Sequence, residues 1–362
     1  MTSRVYLWET KTTSEDISNG STFFLRTILD PQLSLYIPAL RTMGFDPIGA
    51  IYDVLRKPGQ LPSNIPLKDA DGVKIVFDAA GRRARTKDGK KWRETGGDGL
   101  FLQTRPETPE EYGKRCLGAI AEDPNRYYAR AKVVRLEADE REAAADVWNT
   151  ATQMRDARRL KVFARNPDAC MSWSRECDYL RVCAGQADIM DPILFRNEEA
   201  HVELKLENEE SGTNLLTQSA MRSYRSCPRK FYYRYELRQR PLSKAEALTT
   251  GNSVHEALDV FRRTCSLDAA LVALTTDDLY VRAKEAAMLV GYAARWPTPR
   301  GVIAIEKQFR IPLINPATCA PSKTFELGGK VDAIVEEEAA LASLEPSLEY
   351  VLEGSLKEEA VP

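Results

Sequence analysis

Two stretches at opposite ends of the chain decide the fold: Arg4-Val5-Tyr6-Leu7-Trp8-Glu9-Thr10-Lys11-Thr12 and Gly328-Gly329-Lys330-Val331-Asp332-Ala333-Ile334-Val335. Both are rich in β-branched, aliphatic or aromatic residues, which is typical of strands in a buried sheet. Side chains two positions apart on a strand share a face, so Glu9 and Lys11 project side by side. Asp332 interrupts an apolar strand, where a buried carboxylate without a partner would cost free energy. A metal ion would be a suitable partner.

Metal-assisted cleavage of a phosphodiester needs the groups that these two strands carry. Carboxylates hold Mg²⁺ or Mn²⁺, the metal or a base generates hydroxide, and a cation stabilises the charge of the transition state. Glu-X-Lys on one strand and an aspartate on its neighbour would supply the ligands and the cation. Taken alone, Glu-X-Lys is also common on solvated strand surfaces, so the apolar context carries the prediction.

The composition predicts a soluble globular protein of one or two domains. The chain has 362 residues, of which 43% are hydrophobic and 29% charged. No apolar run approaches the roughly 20 residues that cross a bilayer, and the first residues lack the apolar core of a secretory signal. We therefore expect a cytoplasmic protein with no membrane partner.

Charge is unevenly distributed along the chain, although the net charge is only −2. Residues 82–93 contain seven basic residues and one aspartate, and residues 222–240 contain seven basic residues and one glutamate. Residues 336–362 contain eight glutamates and one lysine. Basic segments are usually solvated faces, but these two could also follow a phosphate backbone.

Local signals divide the chain into predicted elements. Asp30 and Pro31 predict the start of a helix over residues 31–43, and Ile48–Leu55 is a predicted buried strand. Further helices are predicted over residues 136–160, 219–236 and 252–264, the last capped by Asn252 or Ser253, and further strands over 302–313 and 324–336. We predict five units along the chain. The first is residues 1–65, and the second is residues 66–200, which contain a basic loop, helices and three cysteines. A linker at 201–218, residues 219–336 and an acidic tail at 337–362 follow.

Five motifs together resemble the PD-(D/E)XK nuclease superfamily, in its RecB-like, Cas4-like branch. Ser223–Tyr235, with its Cys-Pro pair, resembles the opening helix of that branch, and Gly251–His255 resembles its Gly-X-X-X-His motif. Gly329–Asp332 is similar to the metal-binding aspartate motif. Glu9–Thr12 is similar to the Glu-X-Lys-Thr motif and Gln32–Tyr36 to the Gln-X-X-X-Tyr motif.

This resemblance implies an α/β fold with a restriction-endonuclease-like core, in which helices flank a mixed central sheet beside a helical part that carries an iron–sulfur cluster. It implies that Mg²⁺ or Mn²⁺ is bound by Asp332, Glu9 and His255. Lys11 would orient water or stabilise charge, and the helix that carries Gln32 and Tyr36 would engage DNA.

Each of these assignments has a structural alternative. His255 could be a helical histidine that packs against the sheet, and Gln32 and Tyr36 could serve helix packing alone. Glu306 begins an apolar strand and could be an additional acidic ligand, although a surface position is the more common case for such a residue.

The seven cysteines favour a ligand set over a disulfide scaffold, because their number is odd in a chain expected to be cytoplasmic. Four thiolates could bind zinc or an iron–sulfur cluster. The resemblance implies a [4Fe–4S] cluster held by Cys170, Cys177, Cys183 and Cys227, with zinc as the alternative. The alternative without a metal is that these are buried thiols, which is our expectation for Cys116, Cys265 and Cys319.

The motifs occur in a circularly permuted order. In the family the Cys-Pro helix, the histidine and the aspartate precede the Glu-X-Lys motif, the Gln-X-X-X-Tyr motif and the cysteine triplet, whereas here the last three come first. A cut between the aspartate strand and the Glu-X-Lys strand, in a hairpin where new termini are tolerated, would give this order. A fusion of two truncated genes, or a homodimer formed by domain swapping, would also give it.

The expected activity is hydrolysis of DNA by a metal-dependent exonuclease or endonuclease, in DNA repair, recombination or phage DNA processing. The competing interpretation is a non-catalytic DNA-binding or assembly protein derived from a rearranged nuclease.

Overall fold

The structure is a computed structural model that describes residues 3–86, 89–172, 175–201, 204, 214–242, 246–297, 301–338 and 349–352. Most of the predicted linker at 201–218 and of the acidic tail at 337–362 lies outside these residues, as do positions 87 and 88 of the first basic segment.

Strands and short hairpins alternate with helices along the described residues. The strands are β1 (Ser3–Thr13), β2 (Pro47–Arg56), β3 (Asn64–Pro66), β4 (Val76–Phe77), β5 (Phe101–Leu102), β6 (Thr104–Pro106), β7 (Tyr128–Val133), β8 (Met171–Ser172), β9 (Arg175–Glu176), β10 (Phe195–Asn197), β11 (Leu215–Leu216), β12 (Gln239–Pro241), β13 (Gly301–Ile314), β14 (Pro321–Glu338) and β15 (Glu349–Leu352).

The helices are α1 (Thr22–Ile28), α2 (Pro31–Thr42), α3 (Pro109–Glu122), α4 (Glu137–Leu160), α5 (Leu180–Cys183), α6 (Gln218–Ser226), α7 (Pro228–Phe231), α8 (Glu246–Thr264), α9 (Leu267–Val272) and α10 (Leu279–Arg295). None of the helices in the described ranges is long and apolar enough to cross a membrane.

One mixed sheet of seven strands, as far as the described residues extend, forms the centre of the molecule. Its order is β11-β14-β1-β2-β7-β15, and β13 pairs with β14. The β1–β14, β2–β7 and β13–β14 pairs are antiparallel, while β1–β2, β7–β15 and β11–β14 are parallel. The predicted α/β fold, with a mixed central sheet flanked by helices, is confirmed and is consistent with a restriction-endonuclease-like core.

Helices cover both faces of the sheet, which explains why β2 is buried along nearly its whole length. On one face, Leu7 and Val54 pack with α2, α4 and α6. On the other face, Leu55 packs with apolar residues of α3, α8 and α10, including Leu258 and Met288. Successive residues of β2 thus enter two separate cores. The polar residue Asp53, next to Val54 on this strand, is fully buried as well.

Two of the predicted helices have different bounds in the structure. The helix expected over 219–236 is interrupted at Cys227, because Pro228 has no N–H and disfavours helical geometry in the residue before it. A π-helical turn, Tyr232–Glu236, completes this segment. The helix expected from 252 begins at Glu246, so Asn252 and Ser253 lie inside it and do not cap it.

Candidate active site

The pairing of β1 with β14 brings the two predicted carboxylates together. The antiparallel ladder runs from Ser3 opposite Glu338 to Trp8 opposite Ala333. Just beyond it, the backbone N–H of Thr10 donates a hydrogen bond to Asp332 Oδ2 at 2.8 Å, across a sequence separation of 322 positions. The expectation that these two strands are neighbours is therefore confirmed.

Glu9 lies at the centre of a compact polar group. Its Oε1 accepts hydrogen bonds from Lys11 Nζ and from Gln32 Nε2, each at 2.8 Å, and Lys11 Nζ also donates to Gln32 Oε1 at 3.0 Å. Only 4% of the Glu9 surface is exposed. The second carboxylate oxygen, Oε2, is buried and has no hydrogen-bond partner among the residues that the structure describes. A buried acceptor in this state is a natural position for a cation or a proton.

The electrostatics of this group favour a proton on Glu9 when no metal is bound. Burial raises the pKa of Glu9 to about 7, with repulsion from Asp332 and Asp30 adding to the shift and attraction to Lys11 opposing it. Burial disfavours the charged form of Lys11, but the carboxylates of Glu9 and Asp30 outweigh it and raise the pKa of Lys11. Lys11 therefore remains a cation beside Glu9.

His255 on α8 lies close to Asp332. Its Nδ1 lies 3.7 Å from Asp332 Oδ2, which is too long for a hydrogen bond. Burial lowers the pKa of His255, and the attraction of Asp332 does not offset it. The neutral imidazole is the form that can bind a metal ion.

Helix α2 holds the two remaining predicted site residues in different surroundings. Gln32 touches both Glu9 and Lys11, as described above, so it belongs to the polar group. Tyr36 is buried, and its ring packs edge-on against Phe309 with 5.1 Å between centroids. A Cβ at position 329 would lie 2.8 Å from Tyr36 Cε1, so Gly329 is needed where this ring meets β14. The position of Tyr36 thus favours packing behind the carboxylates.

Three charged residues at the site were not identified from the sequence as part of it. Asp30 accepts from the backbone N–H of Gln32 at 2.9 Å, as its predicted role as N-cap requires, and from Tyr52 OH at 2.9 Å. Asp259 lies one helical turn after His255, and Arg262 donates to Asp259 Oδ1 at 3.0 Å. Burial raises the pKa of Asp259 to about 7. The i, i+4 spacing from His255 was the available signal for Asp259.

Arg262 links α8 to the strand that carries Glu9, because it donates to Thr10 Oγ1 at 2.5 Å. Glu306, considered above as an additional ligand, is paired with Lys330. In this arrangement it is the partner of a lysine.

The donor set of the site fits Mg²⁺ or Mn²⁺ chemically. Asp332 lies on the strand next to that of Glu9 and near the neutral imidazole of His255, and the unpartnered Oε2 of Glu9 is a free ligand atom. In the described part of the chain, however, no three His, Cys, Asp or Glu side chains are already arranged around a common point. One oxygen of each carboxylate already accepts hydrogen bonds. Glu9 Oε1 accepts from Lys11 and Gln32, and Asp332 Oδ2 accepts from the N–H of Thr10.

The four cysteines predicted to share a ligand site lie in segments that contact each other. The N–H of Cys177 donates to the carbonyl of Cys170 at 2.8 Å, and Asn166 Nδ2 donates to the carbonyl of Ser226, beside Cys227, at 2.8 Å. Cys183 packs with Cys177 against Tyr179 and Tyr233. All four thiols are free and partly buried. Among the described residues they do not form a ready metal cage, so the cluster stays a prediction.

The other three cysteines are placed differently from one another. Cys116 lies on α3 and is buried in the core, as expected. Cys265 and Cys319 are exposed, so the expectation of buried thiols at these positions is wrong. Both adopt positive φ angles in turns that follow α8 and β13, and turns of this kind lie at the surface.

Comparison with known proteins adds one finding. A family model described as the PD-(D/E)XK nuclease superfamily matches residues 215–344, a segment that begins at β11 and contains His255 and Asp332. This segment is therefore similar to the domain of that nuclease superfamily. Glu9, Lys11 and Gln32 lie outside the matched segment. Glu9 and Lys11 join it through the pairing of β1 with β14, and Gln32 through its hydrogen bonds to both of them. No curated protein and no solved structure was found to match the chain.

The raised pKa of Glu9 predicts how the stability of the metal-free protein depends on pH. A carboxyl with a higher pKa in the folded state holds its proton more tightly there, so it favours the fold at low pH. Stability from this group is lost as the pH rises from about 4.5 to about 7. Glu9→Gln, which keeps an acceptor for Lys11, should lose less stability over this interval.

Melting temperatures of the wild type and Glu9→Gln, measured in EDTA across this pH range, test the prediction. Asp259 titrates over the same range in both proteins, so its contribution cancels in the difference between their melting temperatures. Parallel curves for the two proteins would contradict it. Since a metal ion must displace the Glu9 proton, the affinity for Mn²⁺ should also increase as the pH approaches about 7.

Proposed function

We propose that this protein is a divalent-metal-dependent DNA nuclease whose site is formed by Glu9, Lys11, Asp332 and His255. The observation that carries the proposal is the buried Oε2 of Glu9, which lacks a partner, next to Lys11 and the strand of Asp332. The similarity of residues 215–344 to a nuclease superfamily supports the same conclusion.

The residues divide the work of phosphodiester hydrolysis among themselves. Glu9, Asp332 and His255 would hold Mg²⁺ or Mn²⁺, which when bound polarises the phosphate and lowers the pKa of water. Lys11 presents its ammonium beside this position, where it can neutralise the negative charge that develops on the phosphate oxygens. Gln32 bonds to both Glu9 and Lys11 and fixes their relative orientation.

A site completed within one chain is the arrangement that we favour. Strand β1 carries the Glu-X-Lys motif and β14 carries the aspartate, and the two pair directly. This pairing supports a site formed within one chain. The protein we propose is a circularly permuted member of the RecB-like, Cas4-like branch, acting in DNA repair, recombination or phage DNA processing, and the order of its motifs is the support for the permutation. A domain-swapped homodimer would place the same residues together in trans.

Degradation of end-labelled and internally labelled DNA by the purified protein tests the proposed activity. We expect cleavage with Mg²⁺ or Mn²⁺ and none with EDTA. Comparing the two labels separates exonuclease from endonuclease products. Binding of DNA without cleavage in any metal would instead support the competing function, a non-catalytic DNA-binding or assembly protein.

We further propose that Cys170, Cys177, Cys183 and Cys227 hold a [4Fe–4S] cluster, with zinc as the alternative. The support is the contact between their two segments: the N–H of Arg229, two residues after Cys227, donates to the carbonyl of Ala164 at 3.0 Å. A metal centre here would join the two halves of the permuted chain.

Anaerobically purified protein should therefore be brown and contain iron and sulfide. Cys227→Ser should bleach the colour and lower the melting temperature, because loss of a structural metal removes folding free energy. The exposed Cys265 provides the control, since Cys265→Ser should change neither property. Stoichiometric zinc without iron would contradict the iron–sulfur assignment, and absence of both metals would contradict a metal centre altogether.

A further inference from the structure

Thr10, the middle residue of the Glu-X-Lys motif, connects the carboxylate strand to the helix that carries the imidazole. Side chains alternate along a strand, so Thr10 projects from the face of β1 opposite to Glu9 and Lys11. It is buried, and its hydroxyl accepts a hydrogen bond from Arg262 Nη2 at 2.5 Å. Its backbone N–H donates to Asp332 Oδ2. One residue therefore contacts α8 through its side chain and a proposed metal ligand through its backbone.

Arg262 reaches Thr10 from the same face of α8 that carries His255. The arginine and the histidine are seven positions apart, which is close to two helical turns. The guanidinium also donates from Nη1 to Asp259 Oδ1 at 3.0 Å, and Asp259 lies on the turn between them. Because the buried guanidinium is held on its own helix in this way, its hydrogen bond to Thr10 fixes α8 relative to β1.

The guanidinium of Arg262 is also tied to the sheet through β2. Its Nη2 lies 3.5 Å from Asp53 Oδ2. Asp53 in turn accepts from Arg130 Nε at 2.8 Å and from Tyr292 OH at 2.6 Å. The Arg130 guanidinium stacks on the ring of Trp296, 3.7 Å from its centroid. Partners on β7 and α10 thus fix the carboxylate that Arg262 faces, so the arginine has a rigid point of attachment.

Helix α8 also touches β1 on the other side of His255. A Cβ at position 251 would lie 3.2 Å from Thr12 Oγ1, closer than an ordinary van der Waals contact, so helix and strand approach each other tightly at Gly251. His255 lies between this close approach and the hydrogen bond made by Arg262. Contacts on both sides of the histidine therefore determine where its imidazole stands relative to Asp332.

We propose that Thr10 and Arg262 form a positioning pair, which holds His255 close enough to Asp332 for both to bind one metal ion. The proposal rests on the nuclease function and adds a role for the middle residue of the Glu-X-Lys motif. Neither member of the pair is a metal ligand or takes part in the chemistry. Outer partners of this kind orient the ligands of a metal, and their loss typically lowers metal affinity by about 10- to 100-fold.

Thr10→Val tests the pair, because it removes the hydroxyl, preserves the shape of the side chain and leaves the buried arginine in place. The backbone N–H that bonds to Asp332 remains, so we expect the lower end of that range, an affinity for Mn²⁺ about tenfold weaker. Calorimetry without DNA measures it. Thr10→Ser keeps a hydroxyl and should restore most of the affinity.

The matched control is Thr150→Val on α4. Thr150 is also buried, and its Oγ1 accepts from Arg225 Nε at 2.9 Å, so the substitution removes the same kind of hydrogen bond away from α8. Its affinity for Mn²⁺ should equal that of the wild type. Both valine variants should lose similar stability, because each leaves a buried arginine nitrogen without its hydroxyl partner, and melting curves of the metal-free proteins verify that they fold.

Pulsed electron paramagnetic resonance of bound Mn²⁺ distinguishes positioning from a general loss of stability. A histidine ligand couples its nitrogen nucleus to the electron spin of the metal, whereas carboxylate oxygens give no nitrogen coupling. The chain has two histidines, so His255→Ala identifies the source of the signal. At saturating Mn²⁺ we expect nitrogen coupling in the wild type, Thr10→Ser and Thr150→Val, and its loss in Thr10→Val.

The outcomes separate this inference from the nuclease function. If the wild type and Thr10→Val bind Mn²⁺ with equal affinity and equal nitrogen coupling, the positioning pair is overturned and the function stands. Failure of Thr10→Ser to restore the affinity also overturns the pair, because the hydroxyl would not be the cause. Mn²⁺ bound by the wild type without nitrogen coupling overturns both the pair and the role of His255 as a ligand. If the wild type binds no Mn²⁺, the metal-dependent function itself is overturned together with the pair.

Discussion

Asp332→Asn is expected to reduce DNA cleavage by about 10²- to 10³-fold, because the charge stabilisation supplied by a bound metal is worth several kcal/mol. The substitution removes the negative charge that attracts a divalent ion. It keeps a side-chain oxygen that can accept the hydrogen bond from the Thr10 N–H, so β1 and β14 should remain joined. Cleavage assays with Mg²⁺ or Mn²⁺ and thermal melts of the same samples provide the two measurements.

The matched control for this variant is Glu326→Gln. Glu326 lies on the same strand, β14, where it is partly exposed and paired with Arg310, and the substitution makes the same change of charge. Its cleavage rate should be close to that of the wild type. Undiminished cleavage by Asp332→Asn would mean that the active site lies elsewhere.

Asp53→Ala is expected to lower the free energy of unfolding by about 3–5 kcal/mol, the usual cost of leaving a buried charge without its partner. Asp53 is fully buried on β2. It accepts from Arg130 Nε at 2.8 Å and from Tyr292 OH at 2.6 Å, and Arg262 lies 3.5 Å away. The variant would leave two buried guanidinium groups without this carboxylate.

Urea unfolding gives the change in free energy for Asp53→Ala directly. The control is Asp277→Ala at an exposed position, which should stay within about 0.5 kcal/mol of the wild type. If Asp53→Ala also changed the free energy of unfolding by only about 0.5 kcal/mol, the buried network would not contribute to stability. Because Arg262 also bonds to Thr10, we expect the variant to lose cleavage as well.

The parts of the fold that could be predicted were those in which local pattern and tertiary role agree. Strands β1 and β14 are rich in apolar residues, and each carries a carboxylate next to or within its apolar run, which suggested a common partner. Helix α2 was predicted with its N-cap because Asp30 and Pro31 are local signals. The break at Cys227 could have been predicted from Pro228, but the helical periodicity on both sides of it obscured the interruption.

The parts of the site that could not be predicted depend on packing between distant segments. Asp53, Arg130 and Arg262 come from β2, β7 and α8, and nothing in their local sequence indicates that they meet. Tyr36 matched a motif, yet its burial against Phe309 depends on the close approach that Gly329 permits. Similarly, thiol spacing along the chain does not determine how four sulfur atoms are arranged in space.

The central claim is that Glu9 and Asp332 of the same chain bind one divalent metal ion. Anomalous diffraction from crystals soaked in Mn²⁺ tests it most directly, because the signal locates the ion independently of activity. We predict one peak in contact with an oxygen of Glu9 and an oxygen of Asp332 from a single molecule, beside His255. A peak away from these carboxylates, or one that joins Glu9 of one molecule to Asp332 of another, would contradict the claim.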